Sequence, residues 1–107
     1  MSKSANGPTR QKAPRKPRPS IQPPLETQDG GDPRAALGEI IYTERMRLGI
    51  SQEELAARAG LDRTYVSGME RGLRNPTFLV LLRLARELAI DPAILVRIEI
   101  RKAPTNL

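Results

Sequence analysis

From Asp32 onward the apolar positions recur with the period of an α-helix. In "PRAALGEIIYTERMRL" Leu37, Ile40, Ile41 and Leu48 form one stripe, which Glu44 interrupts. Asp32-Pro33 supplies an N-cap with proline at the first helical position, and Gly49 sits where a terminating glycine belongs. Ser51 opens a second helix through the capping-box pattern S-Q-E-E, with Leu55, Ala56 and Ala59 turned inward and an end near Arg58. Gly60 permits a tight left-handed turn, Leu61 plugs it, and Asp62 caps a third helix that buries Val66 and Met69 and stops at Gly72. "LRNPT" is a loop by composition. It leads through Thr77 into a fourth helix, "FLVLLRLARELA", that is apolar on more than one face. Asp91-Pro92 opens a short fifth helix, whose end is ambiguous because "VRIEIR" (96–101) alternates with strand period. The pattern predicts an all-α domain of five short helices.

Residues 1–31 break this pattern. They hold six of the ten prolines and little aliphatic surface beyond Ile21 and Leu25. Such a stretch buries too little apolar area to offset the entropy of ordering it, and it reads as a disordered arm with polyproline-like stretches. The domain plan is therefore an arm over 1–31, a helical domain over 32–98 and a tail over 99–107. Charge follows the same division. The 107-residue chain has a net charge of +6, and residues 1–20 hold Lys3, Arg10, Lys12, Arg15, Lys16 and Arg18 with no acid. A balance of this kind favours a polyanionic partner.

Composition removes most other chemistry. There is no Cys and no His, so thiol or imidazole metal ligation, disulfides and histidine acid–base catalysis are excluded. The carboxylates sit at caps and on solvated helical faces, so the chain is not expected to be an enzyme, nor to hold a metal or cofactor. Aromatics are limited to Tyr42, Tyr65 and Phe78, too few for a single-strand stacking platform. No apolar run approaches a membrane span and no apolar segment follows the basic N-terminus. The expectation is a soluble, cytoplasmic protein with no membrane partner.

The stretch "SQEELAARAGLDRTYVSGMERG" (51–72) is more constrained than a core hairpin requires. Ala56 lies four residues before Gly60, which lets the next helix cross closely and steeply over a three-residue turn. That is a helix-turn-helix arrangement, whose second helix protrudes enough to enter the major groove of DNA. On G-I-S-Q-E-E-L-A, A-G-L, Y-V-S-G-M-E-R-G and R-N-P-T, residues 35–95 resemble the phage Cro/repressor helix-turn-helix family, the xenobiotic-response-element type. The resemblance implies a compact, lambda-repressor-like five-helix domain that binds double-stranded DNA, usually as a dimer.

Carried over to this chain, the resemblance makes Gln52 a phosphate or outer-base contact. Arg63, Thr64, Ser67 and Gly68 occupy the exposed face of the third helix as the base-contact set. Arg63 has the geometry for guanine O6 and N7, and Thr64 for a thymine methyl or a base edge. Gly68 has no side chain to read with, so either the backbone approaches the groove or specificity is lean, and a packing glycine is an equal alternative. Tyr65 either bonds a phosphate or packs as an amphipathic rim. Arg71, Arg74, Asn75 and Thr77 surround the loop and fourth-helix start where the family grips the DNA backbone, fixing register rather than sequence. Arg45 and Glu70 match an ion pair that joins the first and third helices.

Phe78, Leu79, Val80, Ile94, Leu95, Val96, Ile98 and Ile100 exceed what so small a domain has room to bury. A two-fold homodimer through the fourth and fifth helices, with paired "VRIEIR" strands, would cover them. The function implied is a dimeric repressor or related transcriptional regulator. The alternative is an antitoxin or a protein-interaction module that docks a protein partner through the same C-terminal apolar surface.

Overall fold

The computed structural model describes residues 23–103. Five helices follow in order: α1 Pro33–Leu48, α2 Gln52–Ala59, α3 Arg63–Glu70, α4 Phe78–Leu88 and α5 Pro92–Leu95. Among the described residues there is no strand, only an isolated antiparallel bridge between Thr27 and Ile100.

Each helix starts where a short polar side chain accepts the first free backbone N–H groups. Asp32 accepts from the Arg34 amide at 2.8 Å, Ser51 from Glu54 at 3.0 Å and Asp62 from Thr64 at 2.8 Å. Thr77 accepts from Val80 at 3.3 Å and Asp91 from Ala93 at 2.9 Å. The Glu54 carboxylate turns to Arg58 one turn on. Between α2 and α3, Gly60 takes φ +70°, and the Leu61 amide donates to the Ala56 carbonyl at 2.8 Å. A residue with a Cβ is strained in that left-handed turn. α3 closes one residue earlier than expected, at Arg71, with Gly72 following at φ +78°.

All five helices feed one core. Ile41, Leu55, Val66, Met69, Leu84, Leu88 and Leu95 are fully buried, each worth roughly 1.5–3 kcal/mol relative to exposure. Ile50 and Ala85 complete that core. α1 crosses α3 at Gly38. A Cβ built there would lie 2.5 Å from the Glu70 carbonyl oxygen and closer still to that of Met69. Backbone sits against backbone at this crossing, so only glycine fits.

The ends of the domain differ from the sequence reading in two ways. The expected arm over 1–31 and tail over 99–107 are joined from residue 26 onward, and residues 1–22 and 104–107 lie outside the described residues. Glu26–Gly31 makes a turn in which the Thr27 hydroxyl bonds Asp29 and accepts from the Gly31 amide at 2.9 Å. This turn is clasped to the segment after α5. The Gln28 amide donates to the Glu99 carbonyl at 3.0 Å and the Arg101 amide to the Glu26 carbonyl at 2.8 Å. Arg101 also pairs with the Glu26 carboxylate at 2.8 Å. The strand-like period of 96–101 thus forms a short pairing with the chain's own residues 26–28, which takes up the backbone groups expected to pair across a dimer. Of the apolar residues judged too many for the domain, Leu95 is buried and Ile94, Ile98 and Ile100 are half-buried. Phe78, Leu79 and Val96 remain exposed, at 70%, 63% and 59%.

Candidate nucleic-acid interface

α3 is held by a buried ionic network at its C-terminal end. Arg45 on α1 donates from Nε to Glu70 Oε2 at 2.6 Å and from Nη2 to Glu70 Oε1 at 2.9 Å. Its Nη1 donates to the Ile50 carbonyl at 2.8 Å. Both side chains are under a tenth exposed. A bidentate pair with every guanidinium nitrogen engaged is the geometry in which burial of two charges is tolerated. The hydrogen bond to Glu70 holds the Arg45 guanidinium more firmly protonated than usual, against the opposing effect of burial. The Gln52 amide donates from Nε2 to the same Glu70 Oε1 at 2.9 Å. Gln52 therefore stands at the start of α2 with its position set by α3, and with one amide N–H left to offer outward.

The outer face of α3 follows from its helical period. Val66 and Met69 face the core, so Thr64, Ser67, Gly68 and Arg71 lie on the opposite side. Arg63 and Thr64 are exposed at the tip. The Arg63 guanidinium has only a long 3.7 Å approach to Glu53, and both groups are more than half exposed, so the contact adds little. The Thr64 hydroxyl donates to Asp62 Oδ1 at 2.7 Å, leaving its methyl outward. The hydrogen bonds from the Thr64 hydroxyl and amide hold the Asp62 carboxyl below the usual carboxylate range. Ser67 is half-buried.

Gly68 departs from the base-contact reading. It is on the outer face yet buried, because the Arg74 side chain lies across it. A Cβ at Gly68 would sit 2.9 Å from Arg74 Cγ and 3.0 Å from Nε. The glycine is a seat for Arg74, the arrangement that the packing alternative describes. The Arg74 guanidinium also stacks on the Tyr65 ring, 5.4 Å from its centroid, which makes the half-buried Tyr65 a platform. No local sequence signal marks this pairing, because Tyr65 lies in the first turn of α3 and Arg74 in the loop beyond its end, and the two meet only where the chain folds back after Gly72.

Arg71, Arg74, Asn75 and Thr77 are all exposed, around the loop into α4. Thr77 Oγ1 accepts from the α4 backbone, so its hydroxyl hydrogen stays free for an outside acceptor. Two further residues border this edge without having been singled out. Arg34, bonded through two nitrogens to Asp32, lines an open cleft with Asn75. Glu53 faces Arg63. Among the described residues no group of His, Cys, Asp or Glu could hold a metal ion, and no helix is long and apolar enough to cross a membrane.

The comparisons with known proteins agree with this geometry. A helix-turn-helix family profile matches residues 41–95. The HTH-type transcriptional regulator y4dJ of Sinorhizobium fredii is 40% identical over 60 residues, 56% of this chain and 78% of that one. Among solved structures, the restriction-modification controller protein C.AhdI of Aeromonas hydrophila superposes with a TM-score of 0.57 at 44% identity. The match covers 58% of this chain and 94% of C.AhdI. The controller protein C.Esp1396I, seen as a tetramer in complex with its natural 35 base-pair operator, gives a TM-score of 0.55 at 33% identity. That match covers 59% of this chain and 83% of the other.

Proposed function

This chain belongs to the helix-turn-helix family, a class of DNA-binding regulators rather than enzymes, and we propose that it is a sequence-specific reader of double-stranded DNA that regulates transcription in the cytoplasm. The observation that carries the reading is the outer face of α3. Arg63, Thr64 and Ser67 line it beside a rim of Arg71, Arg74, Asn75 and Thr77, and a buried network fixes its angle to the rest of the domain. With α3 in the major groove, Arg63 and Thr64 meet base edges, while Arg71, Asn75, Thr77 and the α2 start at Gln52 grip phosphates. Arg74 joins the base-facing set, because it occupies the place on α3 that Gly68 leaves vacant.

The protein acts as a two-fold dimer through α4 and the turn after α5. Phe78, Leu79 and Val96 support this by their exposure, as does the assembly on operator DNA of the similar C.Esp1396I. Phosphate contacts make the binding salt-dependent: six to ten of them cost about 10³–10⁵ in affinity between 50 and 200 mM salt.

Selection from random duplexes with the purified chain tests the proposal. It should enrich an inverted repeat with half-site centres about one helical turn apart. Arg63→Ala and Thr64→Ala should each remove about 1–3 kcal/mol of discrimination at one base position without unfolding the domain. If a folded sample shows only a salt-sensitive, sequence-blind background, the reading fails. The exposed apolar surface would then favour the docking of a protein partner.

A further inference from the structure

The tips of α2 and α3 meet through one charged pair. Glu53, in the first turn of α2, brings Oε2 to 3.7 Å from Nε of Arg63, the first residue of α3. The helix dipole favours an acid in that first turn, a role the neighbouring Glu54 already fills while pairing with Arg58 on its own helix. Among the described residues the Glu53 carboxylate has no other side-chain partner, and neither terminal nitrogen of Arg63 has any. Glu53 is 70% exposed and Arg63 55%, so in water the pair adds little to stability. An acid that does not hold the fold together thus stands at the edge proposed to meet a polyanion.

A guanidinium presents five N–H donors in a fixed planar fork. With the carboxylate on the Nε side, the Nη1 and Nη2 end is left for guanine O6 and N7, and one arginine serves both partners at once. A phosphate that approaches the same guanidinium meets the like charge of Glu53 beside it. Where the protein displaces water from the groove, the attraction to Arg63 and the repulsion from phosphate both grow.

We propose that Glu53 is a positioning residue for base reading: it orients Arg63 on a guanine and penalises binding to duplexes that lack one there. This rests on the reading of α3 as the DNA-reading helix. Glu53 acts through Arg63 and touches no base itself.

The test is Glu53→Gln in the full chain, which keeps the side chain's length and helix propensity and removes its charge. Circular dichroism should show the wild-type fold. Affinities are measured at 50 and 200 mM salt for the selected site, for that site altered at each base position, and for a duplex without it. Arg63→Ala identifies the position that Arg63 reads. There Glu53→Gln should lose about 3- to 10-fold in discrimination, within the range of couplings between contacting side chains. At the position read by Thr64 it should lose none. Affinity for the siteless duplex should rise about 2- to 5-fold at 50 mM salt, and the rise should shrink at 200 mM. Added to Arg63→Ala, Glu53→Gln should cause no further loss of discrimination.

Unchanged discrimination at the Arg63 position, or an equal loss at every position, would overturn the proposal. So would a further loss in the double variant, because Glu53 would then be reading a base itself, as a carboxylate does at cytosine N4. If wild type prefers no site at all, the DNA-reading function falls instead, so the two failures are distinguishable.

Discussion

Gly38→Ala offers the sharpest test of how α3 is placed. On an isolated helix the change should stabilise, since alanine is better than glycine by about 1 kcal/mol in a helix interior. Here the new methyl would lie 2.5 Å from the Glu70 carbonyl oxygen and 2.8 Å from its carbonyl carbon, with the Met69 oxygen nearer still. These are backbone atoms of α3, with no rotamer to swing away. Relief therefore requires α1 and α3 to separate by several tenths of an ångström or more, loosening packing around Met69 and stretching the Arg45–Glu70 pair. Overpacking without room to relax costs about 1–3 kcal/mol, and strain on a buried ion pair adds to it. We expect a net loss of about 2–3 kcal/mol after the propensity gain, or roughly 10–20 °C in Tm for a domain this small. Urea unfolding followed by circular dichroism measures it, with the exposed α1 change Thr43→Ala as the control expected within about 0.5 kcal/mol of wild type. A Gly38→Ala protein as stable as wild type, or more so, would refute the close crossing.

Three further outcomes follow from the site. Glu70→Ala should cost about 3–5 kcal/mol by leaving the Arg45 charge buried and unpaired, whereas changing both to apolar residues, Arg45→Met with Glu70→Leu, should recover most of it in the same unfolding assay. Gly68→Ala should leave the fold near wild-type stability, because the atoms displaced belong to the flexible Arg74 side chain. It should nevertheless weaken binding to the selected site as that arginine is pushed off α3, which a gel-shift titration reads. The Asp62 carboxyl, held low by its hydrogen bonds to Thr64, contributes stability that is full above the ordinary carboxylate value. That contribution disappears as pH falls through the lowered one. Asp62→Asn should therefore cost little at neutral pH, since asparagine also caps, and should flatten the acid limb of a Tm-against-pH profile below about pH 4.

What was legible in the sequence is what is local. Asp32, Ser51, Asp62, Thr77 and Asp91 cap their helices through bonds to residues two or three positions on, and such bonds need only the helix itself. The inward faces carrying Ile41, Leu55, Val66 and Met69 follow equally from period, because burial of a stripe depends on its spacing. The Arg45–Glu70 pairing was legible only through family resemblance, for nothing in the spacing of two residues 25 apart makes one arginine among many the buried one. The features that no local rule reaches are those where distant backbone meets. Gly38 looks like a weak point in a helix until α3 lies on it, and Gly68 leaves backbone approach and packing equally open until Arg74 lies across it. "VRIEIR" advertises a strand edge, but residues 26–28, far back in the chain, occupy that edge. Caps and periodicity are set by energies within a single turn of helix and so are written in consecutive residues. Close crossings, seats and clasps depend on which surfaces the collapsed core brings together, and tertiary packing alone decided them.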